Sequence, residues 1–280
     1  MSDISILMSV YKSEKPAFLN RALQSVWDDQ SLKPDKIVLV QDGPVGEELS
    51  EVLSQWKEKL GDNLCLLKNE INLGLTKSLV KGLSQISTKY VARMDSDDIS
   101  LSDRLQKQLA FLEDNPNVSV VGCDIQEFSE KHDNMGIRRF PGNTEGAKNI
   151  IYKANPLAHP AVMMRKSMFE EGISYNPDYR TTQDLALWFD VLAAGYKVAN
   201  LNDVLLKFRR EDDIYRRRAN LKDSWLEFKI HEKGIYKLYG ISPFKSIFPV
   251  ARFIVRLLPT SFLKIVYNGT FRKKLVENNI

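Results

Sequence analysis

The chain has 280 residues, enough for one large α/β domain or for a domain with an appendage. Its 43% hydrophobic and 27% charged content is that of an ordinary globular protein and excludes disordered and collagen-like classes. The net charge of +4 is unevenly placed: in residues 241–280, Lys245, Arg252, Arg256, Lys264, Arg272, Lys273 and Lys274 face one acid, Glu277, so that segment carries +6 and the rest −2. A local basic surplus of this kind points to an anionic partner at the C-terminal end.

In chain order, Ile4–Val10 is a short apolar run rich in β-branched residues, read as a buried strand. Phe18–Trp27 has helical apolar spacing. Lys36–Val40 is a second strand, stopped by the turn residues Asp42-Gly43-Pro44. A helix over Glu47–Lys59, a strand over Leu64–Lys68, a helix over Leu75–Ser84 and a strand over Tyr90–Met94 follow. Strand and helix alternate four times in the first 95 residues, which predicts a doubly wound, mostly parallel sheet flanked by helices. Beyond it, Ser102–Glu113 is amphipathic and Val118–Val121 is strand-like. Residues 124–150 read as loops or a hairpin. Thr182–Ala194 reads as a helix with a Thr cap and Gly195 at its end, and Lys197–Phe208 as one or two short strands. Cys65 and Cys123 lie in apolar runs and read as reduced core thiols. The N-terminus lacks a basic n-region, and no stretch reaches the roughly 18 apolar residues of a spanning helix, so a cytoplasmic location is expected.

In a doubly wound sheet, ligands bind beyond the carboxyl ends of the strands. Polar residues stand at three such ends: Tyr11-Lys12-Ser13, Gln41-Asp42-Gly43 and Asp95-Ser96-Asp97-Asp98. Clustered carboxylates are costly without a cation, and oxygen donors suit Mn²⁺ or Mg²⁺. An acidic turn capping the following helix has the same composition, so this cluster alone does not decide.

Val91–Gln108 (VARMDSDDISLSDRLQKQ) resembles the DxD region of family 2 glycosyltransferases, which have the GT-A fold, and in particular the bacterial branch that builds O-antigen and exopolysaccharide repeat units. Five further segments match that family in order: Met8-Ser9-Val10-Tyr11 at the first strand, Val40-Gln41-Asp42-Gly43 at the second, Asn72-Leu73-Gly74-Leu75, His159-Pro160, and Gln183-Asp184-Leu185-Ala186-Leu187-Trp188. The resemblance covers residues 4–210 and implies an inverting transfer of a sugar, glucose or galactose by family frequency, from a UDP-sugar to a polyprenyl-diphosphate-linked saccharide.

By that resemblance, Asp42 accepts from uracil N3–H, although alone it would read as a turn residue. Val10 and Tyr11 line the uridine pocket. Asn72 and Gly74 shape the adjoining loop, unless Gly74 is only a helix-start turn. Asp97 is the principal metal ligand and Asp95 is shared between ribose and metal; Ser96 lies between them. Arg93 and Asp98 support this group. Arg104 and Gln108 fit the pattern, with a helix-surface role equally open.

An inverting transfer needs a carboxylate base remote from the metal cluster. Asp184 is the candidate, in the first turn of a predicted helix whose dipole favours its ionised form. Plain charge complementarity at a helix start has the same appearance. The family pattern has an acid at position 183, where this chain has Gln183. His159 is implied near acceptor or diphosphate, or is structural. Arg209 is implied near the diphosphate, although the His of that motif is replaced by Asp212 and Asp213.

As a helix, residues 245–258 place Lys245, Arg252 and Arg256 on one arc and Ile247, Val250, Phe253, Ile254, Leu257 and Leu258 opposite, with Pro249 as an interruption. Such a segment suits an anionic membrane surface or docking on the catalytic domain. Two regions are therefore expected: a catalytic domain over 1–215 and a basic helical appendage over 216–280, peripheral on the cytoplasmic face of the inner membrane. Other readings are weaker. A nucleotidyltransferase would carry a Gly-rich loop near the first strand, and residues 8–20 contain no glycine. A non-catalytic nucleotide-sugar module would lose Asp184. No nucleic-acid motif is present, so no nucleic-acid partner is expected.

Overall fold

The structure, a computed structural model, describes residues 2–210 and 221–257. Strand β1 (Ile4–Val10), helix α1 (Pro16–Val26), β2 (Lys36–Gln41), α2 (Glu47–Leu60), β3 (Leu64–Lys68), α3 (Leu75–Leu83) and β4 (Tyr90–Arg93) alternate as the apolar periodicity predicts. Then come β5 (Ile99–Ser100), α4 (Arg104–Asp114), β6 (Val118–Phe128), β7 (Ile137–Arg138), α5 (Thr144–Ile150), β8 (Met163–Arg165), α6 (Ser167–Glu170), α7 (Gln183–Ala193), β9 (Lys197–Arg209), α8 (Leu221–Tyr239) and α9 (Pro243–Arg256).

One sheet runs in the order β3-β2-β1-β4-β8-β6-β9-β5, with β7 paired to β6. β1 pairs in parallel with β2 and β4, β2 with β3, and β6 with β9; β8 and β5 run antiparallel to their neighbours. Alternate residues of β1 enter opposite layers: Ile4, Ile6, Met8 and Val10 face a core shared with α1, α2 and α4, whereas Leu7 joins α3, α7 and α8 on the other side. Both faces are covered, which is why these strands are continuous apolar runs. Each such side chain contributes ~1.5–3 kcal/mol by leaving water.

Several expectations are corrected. The strand expected over Val118–Val121 extends to Phe128, because β9 and β7 supply backbone partners to its polar residues Asp124, Gln126 and Glu127. The loop expected up to residue 150 contains α5, capped by the Asn143 side chain, which accepts from Gly146 N. Lys197–Arg209 is one strand with bulges. Thr182 gives α7 no side-chain cap; it sits in the left-handed region at φ 62°. Helix α9 runs through Pro249 without ending, the ring being buried against α8.

The C-terminal helices pack on α7, on one face of the sheet. Gly234 of α8 lies against the Phe189 ring of α7, so close that a Cβ would stand 2.3 Å from ring carbons. Helix α9 docks through its basic arc and leaves its apolar arc outward. Arg252 and Arg256 point inward to Glu227 of α8, at 3.1 Å for Arg252, and Arg252 donates to the Lys153 carbonyl. The inner surface offers a partly buried carboxylate, and pairing outweighs exposure of apolar area there. The boundary expected at 215/216, the acids Asp212 and Asp213, and the basic residues from Lys264 onward lie outside the described residues. No described helix is long and apolar enough to cross a membrane.

Gly234→Val forces α8 away from α7 and should cost roughly 1–3 kcal/mol, read as a lower urea midpoint. An unchanged midpoint would show that the two helices do not meet there.

Candidate active site

Strand β4 ends beside the middle of β1, with Met94 N donating to Leu7 O, and leaves the turn Asp95–Asp98 at the carboxyl edge of the sheet. The turn is fastened from both sides. Its exit strand β5 pairs with Leu206 and Lys207 of β9. Beyond them, Arg209 N donates to Asp98 Oδ1 at 2.7 Å, and Arg209 Nε donates to Asp97 O at 2.8 Å. The Arg209 guanidinium lies 3.7 Å from the Phe18 ring centroid and 4.5 Å from that of Phe128.

From below, the fully buried Arg104 donates to Arg93 O at 2.7 Å and to Gln108 Oε1. Gln108 Nε2 reaches Ala161 O at 2.8 Å and Val121 O at 3.2 Å. These two residues are therefore not on a helix surface; they bind β4, β6 and the segment before β8 together. Burial pushes the Arg104 guanidinium down to about 10, still charged at neutral pH.

Carboxylate atoms of Asp95, Asp97 and Asp98 all lie within 4.8 Å of one another. Burial, then Asp95 and Glu14, pushes Asp97 up to about 7. Asp98 is raised for the same first reason, with Asp95 and Asp97 adding to it. Asp98 Oδ2 is buried and has no hydrogen-bond partner among the described residues. Three crowded carboxylates with an orphaned buried oxygen fit a hard divalent cation, and Asp95, Asp97 and Asp98 are the residues that could hold one. Glu14 was not anticipated. It accepts from the buried Ser96 hydroxyl and brings a fourth acid to the group; its only sequence sign is its place just after β1.

A second group stands at the end of β2. Asp42 N donates to Val10 O, and the Asp42 carboxylate accepts from Leu73 N and Gly74 N at 2.8 Å and from Asn69 Nδ2 at 2.9 Å. Asp42 thus shapes loop 69–74, and Asn69 is a second residue missed in the sequence. Asn72 Nδ2 donates to Asp42 O at 3.3 Å, and Arg180 reaches Asn72 Oδ1 at 3.4 Å. Gly74 directly precedes α3 at φ 90°. Gly43, at φ 86°, lets the loop close, since a Cβ would stand 2.7 Å from Asn72 N. Tyr11 is about half exposed above the buried Val10.

Asp184 lies in the first turn of α7 and accepts from Asn155 Nδ2 at 2.6 Å. Burial raises its carboxyl above the ordinary range, opposed by backbone N–H of Leu185 and by the charge of Arg93. Asn155, in the loop after α5, was also missed; it carries no motif. His159 bonds through Nε2 to the Tyr175 hydroxyl at 2.7 Å and packs edge-on against Trp188. Burial, with Arg93, holds the ring well below the usual histidine value, so it is neutral.

Arg93 links the two sides. It is buried, donates through Nη2 to Asp95, and its charge acts on Asp97, Asp98, Asp184 and His159. Its Nε and Nη1 have no hydrogen-bond partner among the described residues. The predicted residues therefore fall into three groups: Arg93, Asp95, Ser96, Asp97, Asp98 and Arg209 around the acidic turn; Val10, Tyr11, Asp42, Asn72 and Gly74 at the neighbouring strand ends; Asp184 and His159 across Arg93.

Residues 5–173 match the model of glycosyl transferase family 2. The amylovoran biosynthesis glycosyltransferase AmsE of Erwinia amylovora is 34% identical, covering 94% of this chain and 97% of that one. The UDP-Gal:alpha-D-GlcNAc-diphosphoundecaprenol beta-1,3-galactosyltransferase of Escherichia coli is 32% identical over 97% of each. Among solved structures, S. aureus TarS 1-349 in complex with UDP-GlcNAc superposes with a TM-score of 0.67 at 18% identity, over 90% of this chain and 72% of that one. The shared fold is GT-A.

Without a cation the acidic turn is held against charge repulsion. Asp97→Asn should therefore raise the metal-free melting temperature by about 2 °C; a lower one would mean that the carboxylates do not crowd.

Proposed function

Since the chain belongs to glycosyl transferase family 2, we propose that it transfers a hexose, with inversion, from a UDP-sugar to a saccharide carried on a polyprenyl diphosphate. The observation that carries the reading is the separation of labour around Arg93: a carboxylate cluster suited to a cation on one side, and a single carboxylate with a raised pKa, held by Asn155, on the other. The lipid-linked acceptor is supported by the E. coli relative, whose name specifies a diphosphoundecaprenol-linked substrate. That same name favours galactose over glucose as the sugar.

In the proposed reaction the nucleoside lies over the ends of β1 and β2, beside Val10, Tyr11 and Asp42. Asp97 and Asp95, with Asp98 behind them, would hold Mn²⁺ or Mg²⁺, which when bound offsets charge on the leaving diphosphate. Asp184 takes the proton of the acceptor hydroxyl as its oxygen bonds to the anomeric carbon; the bond from that carbon to the diphosphate breaks and UDP leaves. One displacement at carbon inverts its configuration. The raised pKa of Asp184 suits a base, because a stronger base removes the proton more readily. An acceptor of this kind supports a peripheral position on the cytoplasmic face of a membrane.

Asp97→Ala should abolish Mn²⁺-dependent UDP-sugar binding in calorimetry. Asp184→Asn should spare that binding and lower transfer about 10³-fold; a variant with full turnover removes Asp184 from the mechanism. As Asp184 is raised in the folded state, activity is present above its shifted pKa and lost as pH falls through it. The acid limb of kcat/KM should thus lie above the ordinary carboxylate range, and should vanish with the residual rate of Asp184→Asn.

A further inference from the structure

The outer face of α9 is an apolar stripe. Phe244, Ile247, Val250, Ile254 and Leu257 recur at helical spacing and are 40–70% exposed; Ile241, just before the helix, is 87% exposed. The helix cannot roll to hide them. Arg252 and Arg256 are paired to Glu227, and Phe253 packs at 5.4 Å and 5.5 Å against the rings of Trp225 and Phe228. Six large apolar side chains thus face outward on an element locked from within.

We propose that this face docks on a phospholipid bilayer by inserting the stripe among the acyl chains, which deepens, and rests on, the reading that the acceptor is lipid-linked. Three observations select lipid over a second copy of the chain. Trp225, whose ring packs on Phe253 next to the stripe residue Ile254, is half exposed, and Lys222 and Lys229, a turn to either side of it on α8, are exposed; Trp and Lys beside apolar residues match a headgroup layer. The sequence leaving α9 adds Lys264, Arg272, Lys273 and Lys274 against Glu277. A segment of that charge is complemented by anionic headgroups and not by a second copy of itself.

The same helix also reaches the segment that holds Asp184. Arg252 donates to Lys153 O and Phe248 packs on Tyr152, in the loop whose Asn155 holds Asp184. The docked helix and Asp184 thus touch two ends of one short segment, residues 152–155.

The full chain and a Phe244→Ser, Ile247→Ser, Ile254→Ser variant can be co-sedimented with vesicles of equal parts phosphatidylcholine and phosphatidylglycerol. The unaltered chain should bind and stay bound at about 0.5 M salt, where charge attraction is screened. The variant should bind about tenfold less or weaker still, yet hydrolyse UDP-sugar in solution at the unaltered rate. Equal binding by the variant overturns the proposal, as does complete release of the unaltered chain by salt. An unaltered dimer that the variant dissolves would make the stripe an interface between copies instead. If neither protein turns over any UDP-sugar, the catalytic reading fails, and the vesicle result still decides the docking.

Discussion

Arg104 carries a positive charge in the middle of the core, and the strands around the acidic turn depend on where its hydrogen bonds go. They run to the carbonyls of Arg93 and Val162, the Gln108 amide and the Met94 sulfur. A guanidinium in so dry a place is costly unless its donors are met. The consequence is geometric: β4, β6 and the segment before β8 cannot slide past one another without orphaning a charge. The turn that begins two residues after Arg93 inherits that rigidity, and so does Arg93 itself, whose side chain reaches Asp95 while its charge acts on Asp184.

Much of this was legible in the sequence because of the kind of sheet it is. Parallel strands buried on both faces read as unbroken apolar runs, so β1 to β4 stand out, and the polar residues at their ends mark the site edge. Legibility fails where partners are distant. Gln126 and Glu127 are strand residues only because β9 lies alongside. Arg104 and Gln108 look like ordinary surface positions of an amphipathic helix until the carbonyls that satisfy them come into view. Asn155 and Glu14 lie outside any motif, and their importance arises from one hydrogen bond each.

The C-terminal helix shows a more general limit. A helical wheel separates cationic from apolar residues and leaves open which side faces the protein. The solvent side is decided by what the core offers. Glu227 offers a partly buried carboxylate that two arginines can share, and its own carboxyl is held below the usual range by them against the cost of burial. The apolar side is left outward by default, not because its residues prefer water.

Thr182, the residue that opens α7, has a β-branched side chain in the left-handed region. Such a conformation costs on the order of 1–3 kcal/mol and persists only where surrounding packing dictates it. It allows the backbone two residues before Asp184 little choice of direction. That direction sets where the first turn of α7 stands, and with it the Asp184 carboxylate that Asn155 holds.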